Sequence, residues 1–180
     1  MRCDATPADA IKIISSARES ATGVYFVRTD FWYIERAVWL VAGVDVLLSS
    51  ALALAWDINW IFSIIIVAAF SINVALTGFC VVGNILMRLG IKPLLGDNSK
   101  SGRGFYFMQT DKWFLERYIY LFVGTTLTIG SLLAKFYSKW WLIFPAFVGT
   151  AMLVFAFTGF CIMAHALYRL GKEPRLRKTA

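Results

Sequence analysis

The chain has 180 residues, 59% of them hydrophobic and only 16% charged, with a net charge of +7. A soluble domain of this length carries about 25% charged residues and breaks its apolar residues into short periodic runs. The totals therefore exclude an ordinary soluble domain and point to an all-α, polytopic membrane protein.

The first segment, residues 1–23, holds "TPADAIKIISSAR". Thr6 can cap a short helix, Pro7 suits its first turn, and Asp9 favours its N-terminal dipole end. Ile11 and Ile14 share a face, so this segment is expected as a helix on the membrane surface, the alternatives being a plain soluble helix or a frayed terminus. Met1–Ala21 lacks the apolar core and cleavage site of a secretory signal. Four apolar runs follow. Ala37–Trp56 is interrupted only by Asp45, and Ile58–Met87 contains no Asp, Glu, Lys or Arg. Tyr118–Ala134 is the third, and Trp140–Tyr168, with His165, the fourth. The second and fourth exceed the ~20 residues that cross a bilayer, and spans two and four are expected to run on as single helices to Arg88 and Arg169.

Five Lys/Arg lie up to Arg36, six from Arg88 to Arg117 and five from Arg169 onward; only Lys135 and Lys139 lie between spans three and four. Basic residues favour the cytoplasmic side. Both termini and the central linker are thus expected in the cytoplasm, where the basic rim meets anionic lipid. No folded basic domain supports a nucleic-acid partner.

The chain also repeats itself. Shifted by 81 residues without a gap, "VYFVRTDFWYIER" falls on "FYFMQTDKWFLER", Gly43 on Gly124, Trp60 on Trp141, and one T-G-F-C block on the other. Across Tyr25–Pro93 there are 24 identities, too many at a constant offset for shared apolar bias. Each copy is a helical hairpin: residues 24–93 and 105–174, joined by a polar Gly/Ser-rich linker at 94–104 and followed by a basic tail at 175–180. Two spans per copy give both hairpins the same orientation, a parallel repeat with a pseudo-two-fold axis along the membrane normal. Thr29-Asp30 and Thr110-Asp111 are expected to cap spans one and three. Trp32, Tyr33, Trp113 and Tyr118 suit one interfacial belt, Trp60 and Trp141 the other. Pro145 falls in the first turn or two of span four.

Four sets of residues carry candidate chemistry. Cys80 and Cys161 hold equivalent places, and as members of unbroken helices would lie ~12 Å inside the cytoplasmic end. If spans two and four line the pseudo-axis, the small neighbours Gly78, Gly159, Ala75 and Ala156 would let the two sulfurs approach. They would then form a thiol pair for sulfur transfer, redox sensing or a soft metal; alternatively, each cysteine is simply a small residue packed between helices. His165 follows Cys161 by four residues on one helical face, but two ligands are half of a zinc site. No metal or other cofactor is expected. Asp45, ~13 Å into span one, is a costly intramembrane acid with Asn73 as its expected hydrogen-bond partner. It fits a proton or ion path, or a structural, hydrogen-bonded carboxyl. Glu35 and Glu116 are expected to pair with Arg88 and Arg169 at the cytoplasmic rim, stapling each hairpin.

Glu35-Arg36…Gly43 with Thr77-Gly78-Phe79-Cys80, and Glu116-Arg117…Gly124 with Thr158-Gly159-Phe160-Cys161, resemble the pattern of the YgaP-like transmembrane domain family. Val81 and Ile162 follow the cysteines where the family often has proline. The resemblance implies a hairpin of the bacterial inner membrane that tends to dimerise, in some members beside a rhodanese sulfurtransferase domain. These 180 residues contain no such domain, so that activity is not carried over. No P-loop, H-E-x-x-H, G-x-S-x-G or C-x-x-C pattern is present. The expectation is a non-catalytic accessory or scaffold subunit with partner subunits in the membrane. The alternatives are a thiol- or persulfide-handling protein using Cys80 and Cys161, and a small ion or solute transporter using Asp45.

Overall fold

The computed structural model describes residues 29, 31–95, 105–110, 112–172 and 174. The expected surface helix, most of the linker and the basic tail lie outside them. Among the described residues the chain is all-helical, with six α-helices: α1 (Ile34–Ala55), α2 (Ile61–Thr77), α3 (Val81–Arg88), α4 (Leu115–Phe136), α5 (Ile143–Thr158) and α6 (Ile162–Arg169). Short 3-10 turns, Ile58–Trp60 and Lys139–Leu142, lead into α2 and α5. Four segments are long and apolar enough to cross a bilayer: Ile34–Ala55, Ile58–Thr77, Leu115–Phe136 and Lys139–Thr158. At 1.5 Å rise per residue, each matches a hydrocarbon core of about 30 Å. The chain is a multi-pass membrane protein.

The first turn between spans is built by Asp57, whose carboxylate accepts from the Asn59 amide at 2.9 Å and caps the 3-10 turn. Pro145 is the third residue of α5, where its missing N–H costs no helical bond. Thr29 and Thr110 do not cap their helices: the N-cap residues are Tyr33 and Phe114, neither with a side-chain cap.

Spans two and four end earlier than expected. α2 stops at Thr77 and α5 at Thr158; Gly78 (φ 76°) and Gly159 (φ 71°) then take the left-handed conformation. This is the glycine C-terminus that ends many helices. In each copy the threonine hydroxyl donates back to the carbonyl four residues earlier and accepts the amide of the phenylalanine after the glycine, at 3.1 Å. Cys80 and Cys161 then become the N-cap residues of the short helices α3 and α6. The T-G-F-C block therefore breaks the helix.

Packing runs mainly between the two repeats. α1 lies most extensively against α5, and α2 against α4, while the two helices of each hairpin touch less. Glycine permits both approaches: a Cβ on Gly43 would stand 3.1 Å from the Gly149 carbonyl oxygen, and one on Gly124 would stand 2.8 Å from that of Ala68. These close backbone contacts hold helices together where lipid removes the hydrophobic drive. At the turn end, Lys135 lies 4.0 Å over the ring of Phe62, tying α4 to α2 again. Trp39 and Tyr120, 81 positions apart, stack at 4.5 Å. These aromatic rings, not the two cysteines, are the equivalent side chains that meet between the repeats.

Candidate functional site

The polar groups gather where spans one and three begin and spans two and four end. Arg36 and Arg117 sit in the first turns of α1 and α4, only 8% and 4% exposed. The Arg117 Nε and Nη2 donate to the Ala75 carbonyl at 2.9 and 2.7 Å, and its Nη1 donates to those of Thr110 and Lys112. Arg36 makes the matching set: Nε to Ala156 at 2.6 Å, and Nη1 to Thr29 and Phe31. Each guanidinium also lies over a tryptophan, Trp32 at 4.1 Å or Trp113 at 4.2 Å. Each arginine thus caps the last carbonyls of the other hairpin's second span, where the helix dipole is negative. The planar fork serves several carbonyls at once, and the flat cation stacks on indole.

Glu35 is 1% exposed. Its Oε1 accepts the Leu95 amide at 2.6 Å and the Tyr106 hydroxyl at 2.9 Å, and its carboxylate also takes the Leu94 amide. It does not pair with Arg88. The break at Gly78 puts Arg88 at the exposed end of a separate helix, and backbone amides occupy the carboxylate. Arg169 likewise ends α6 exposed, whereas Glu116 is 3% exposed. Asn84 donates to the carbonyls of Cys80 and Tyr106 and accepts the Tyr106 amide at 2.7 Å. It clips the extended segment 105–108 onto α3, beside the Phe79–Phe107 bridge. His165 occupies Asn84's place in the second copy and is partly buried.

Cys80 and Cys161 line different crevices, the first within its own hairpin and the second bordered also by Trp39 of the first hairpin. Both thiols are free. The Cys80 Sγ accepts the Gly83 amide at 3.2 Å, and burial pushes both thiols above their ordinary range. A raised pKa means less thiolate at a given pH. Both cysteines are therefore expected to react with iodoacetamide more slowly than glutathione at pH 8, and to accelerate as pH rises past 9. Mass-spectrometric alkylation rates check this; a rate above glutathione's would show an activated thiol.

Asp45 and Asn73 are not partners. Asn73 donates to the Phe79 carbonyl at 3.0 Å and serves the helix break. Asp45 instead accepts from the Ser63 hydroxyl, at 3.1 Å to Oδ1 and 3.0 Å to Oδ2. Among the described residues no group of three or more His, Cys, Asp and Glu side chains is placed to hold a metal ion.

The arginine clasps and the twin helix breaks went unread in the sequence. Their signal was present: E-R at the head of both first spans, and T-G closing both second spans.

A four-span bundle with buried arginines capping the helices of the opposite hairpin is a multi-pass membrane protein. Residues 114–175 match the family model described as "Inner membrane protein YgaP-like, transmembrane domain", so the second hairpin is similar to that domain. Neither the curated proteins nor the solved structures give a match.

Proposed function

We propose that the chain is a tandem duplication of a YgaP-like hairpin, related by a pseudo-two-fold axis, acting as a non-catalytic accessory or scaffold subunit of an inner-membrane assembly. The recurrence of the arginine contacts at a constant offset of 81 supports the duplication. The carrying observation for function is that the polar groups best suited to chemistry are spent on architecture. Arg36 and Arg117 cap helices, Glu35 holds a chain reversal, and Asn73 and Asn84 fix the T-G-F-C turn. Wide aromatic faces, including Trp56 and Trp140 at 84% exposure each, are available to lipid or to partner helices. The basic residues favour a cytoplasmic location for the termini and linker, against anionic lipid.

The test is the native mass of the protein, gently extracted from its own membrane. The accessory reading expects stoichiometric partner subunits; recovery as a single chain or self-dimer would remove it. The thiol reading keeps one supporting observation, a cysteine lining the same crevice in both copies. Under that reading Cys80→Ser with Cys161→Ser abolishes function, whereas the accessory role survives it.

A further inference from the structure

We propose that the crevice between α1 and α2 binds an amphipathic ammonium cation, its head on the Asp45 carboxylate and its alkyl chain along the apolar lining. The crevice has a volume of about 250 Å³, below the usual range for drug-sized ligands, which suits a head group and part of one chain. Asp45 lies eleven residues from Ile34 and ten from Ala55, so it is near mid-span, about 15 Å from either end. It is only half-buried and lines the crevice together with Ser63. The single hydroxyl of Ser63 serves both of its oxygens. An ionised carboxylate has about four acceptor sites, and an acid at this depth is stabilised by a partner charge. The lining contains no Lys or Arg. Val41, Ile66 and Phe70 line the same crevice and are 41–54% exposed, so an alkyl chain can enter sideways from the bilayer.

The second hairpin shows that the fold does not require this acid. Its matching crevice, about 410 Å³, is lined by equivalents of the same positions, among them Ile119, Phe122 and Cys161. At the places of Asp45 and Ser63 stand Thr126 and Phe144, and neither lines that crevice. Two helices pack in the same way without the carboxylate–hydroxyl pair. The pair is thus an addition to one crevice, and the chemistry it adds is recognition of a donor-bearing cation in an apolar slot. This site is independent of the accessory reading.

The experiment uses the full chain in lipid vesicles, with dicyclohexylcarbodiimide, a membrane-soluble carboxyl reagent, and peptide mass spectrometry. Asp45 is expected to be labelled. Decylammonium is expected to slow total modification of Asp45, with N-acylurea and decylamide products counted together because a primary amine also captures the activated carboxyl, at least about fivefold at saturation, while decanol at the same membrane concentration leaves it nearly unchanged. Ser63→Ala, which keeps the carboxylate, is expected to remain labelled but to lose much of the protection. Absence of label on Asp45, or equal protection by decanol and decylammonium, would overturn the proposal. Because Asp45 is read in the unmodified protein, the result does not depend on a variant that fails to fold.

Discussion

Arg117→Ala is expected to lower the unfolding free energy by about 3 kcal/mol, measured by denaturant titration in micelles. The guanidinium is 4% exposed and bonds the carbonyls of Ala75, Thr110 and Lys112. Truncation leaves those acceptors without a donor in a place water reaches poorly, and each buried unsatisfied group costs roughly 1–3 kcal/mol. Loss of the stack on Trp113, at 4.2 Å, adds about 0.5–1 kcal/mol. Against this, the cost of holding a long cation in one rotamer is relieved. Arg117→Lys is expected to recover a minority of the loss, because one ammonium cannot span carbonyls on two segments. Arg36→Ala should behave alike. The two clasps cap different helix ends, at Ala156 and Ala75, so their effects should add. A change below about 0.5 kcal/mol for Arg117→Ala would mean the carbonyls find water or other donors.

Gly78→Ala is expected to cost about 3 kcal/mol, again read from equilibrium unfolding. Alanine in the left-handed region, at the observed φ of 76°, costs about 1–2 kcal/mol. The new Cβ would also run into the Met108 carbonyl oxygen and stand 2.8 Å from Thr110 Cγ2. That carbonyl belongs to a fixed backbone segment: the Met108 amide donates to the Gly78 carbonyl at 2.8 Å. Relief therefore requires moving segment 105–110 away from the helix break, at a further overpacking cost of about 1–3 kcal/mol. Gly90→Ala is the internal control. Gly90 has φ 91° but nothing within 4 Å of its would-be Cβ, so only the conformational cost of about 1–2 kcal/mol applies. Equal effects at Gly78 and Gly90 would show that the contact with Met108 is unimportant.

Much of this arrangement could be read from residues. The spans follow from hydropathy, and the constant offset located the equivalent positions. The helix break was hidden because Ile58–Met87 carries no charge: an average over apolarity does not register that Thr77-Gly78 is a C-terminal signal. The choice of helix partners was hidden for a different reason. In a membrane the lipid-facing and helix-facing sides are both apolar, so periodicity does not say which helix a face meets. Glycines such as Gly43, Gly124 and Gly149 carried that information, and a glycine does not name its neighbour. The expected Glu35–Arg88 pair followed from opposite charges at one membrane face. It overlooked the amides of Leu94 and Leu95, which need an acceptor as the chain turns back. The distinction between Asp45 and Thr126 was visible at once, because a departure from a repeat stands out against it.

The interleaved pairing has a consequence for how the chain is made. Arg36 is capped onto a carbonyl 120 residues downstream, and α1 finds its main neighbour in α5, the last span. At roughly 10 residues per second, the ribosome needs on the order of ten seconds to supply that neighbour. During this interval the first hairpin sits in the bilayer with Arg36 lacking the Ala156 and Phe157 carbonyls and its glycine face open to lipid. Biogenesis is therefore vulnerable at the half-finished stage, and a truncated first hairpin should be recognised as immature by membrane proteases or held by an insertase until the second half arrives.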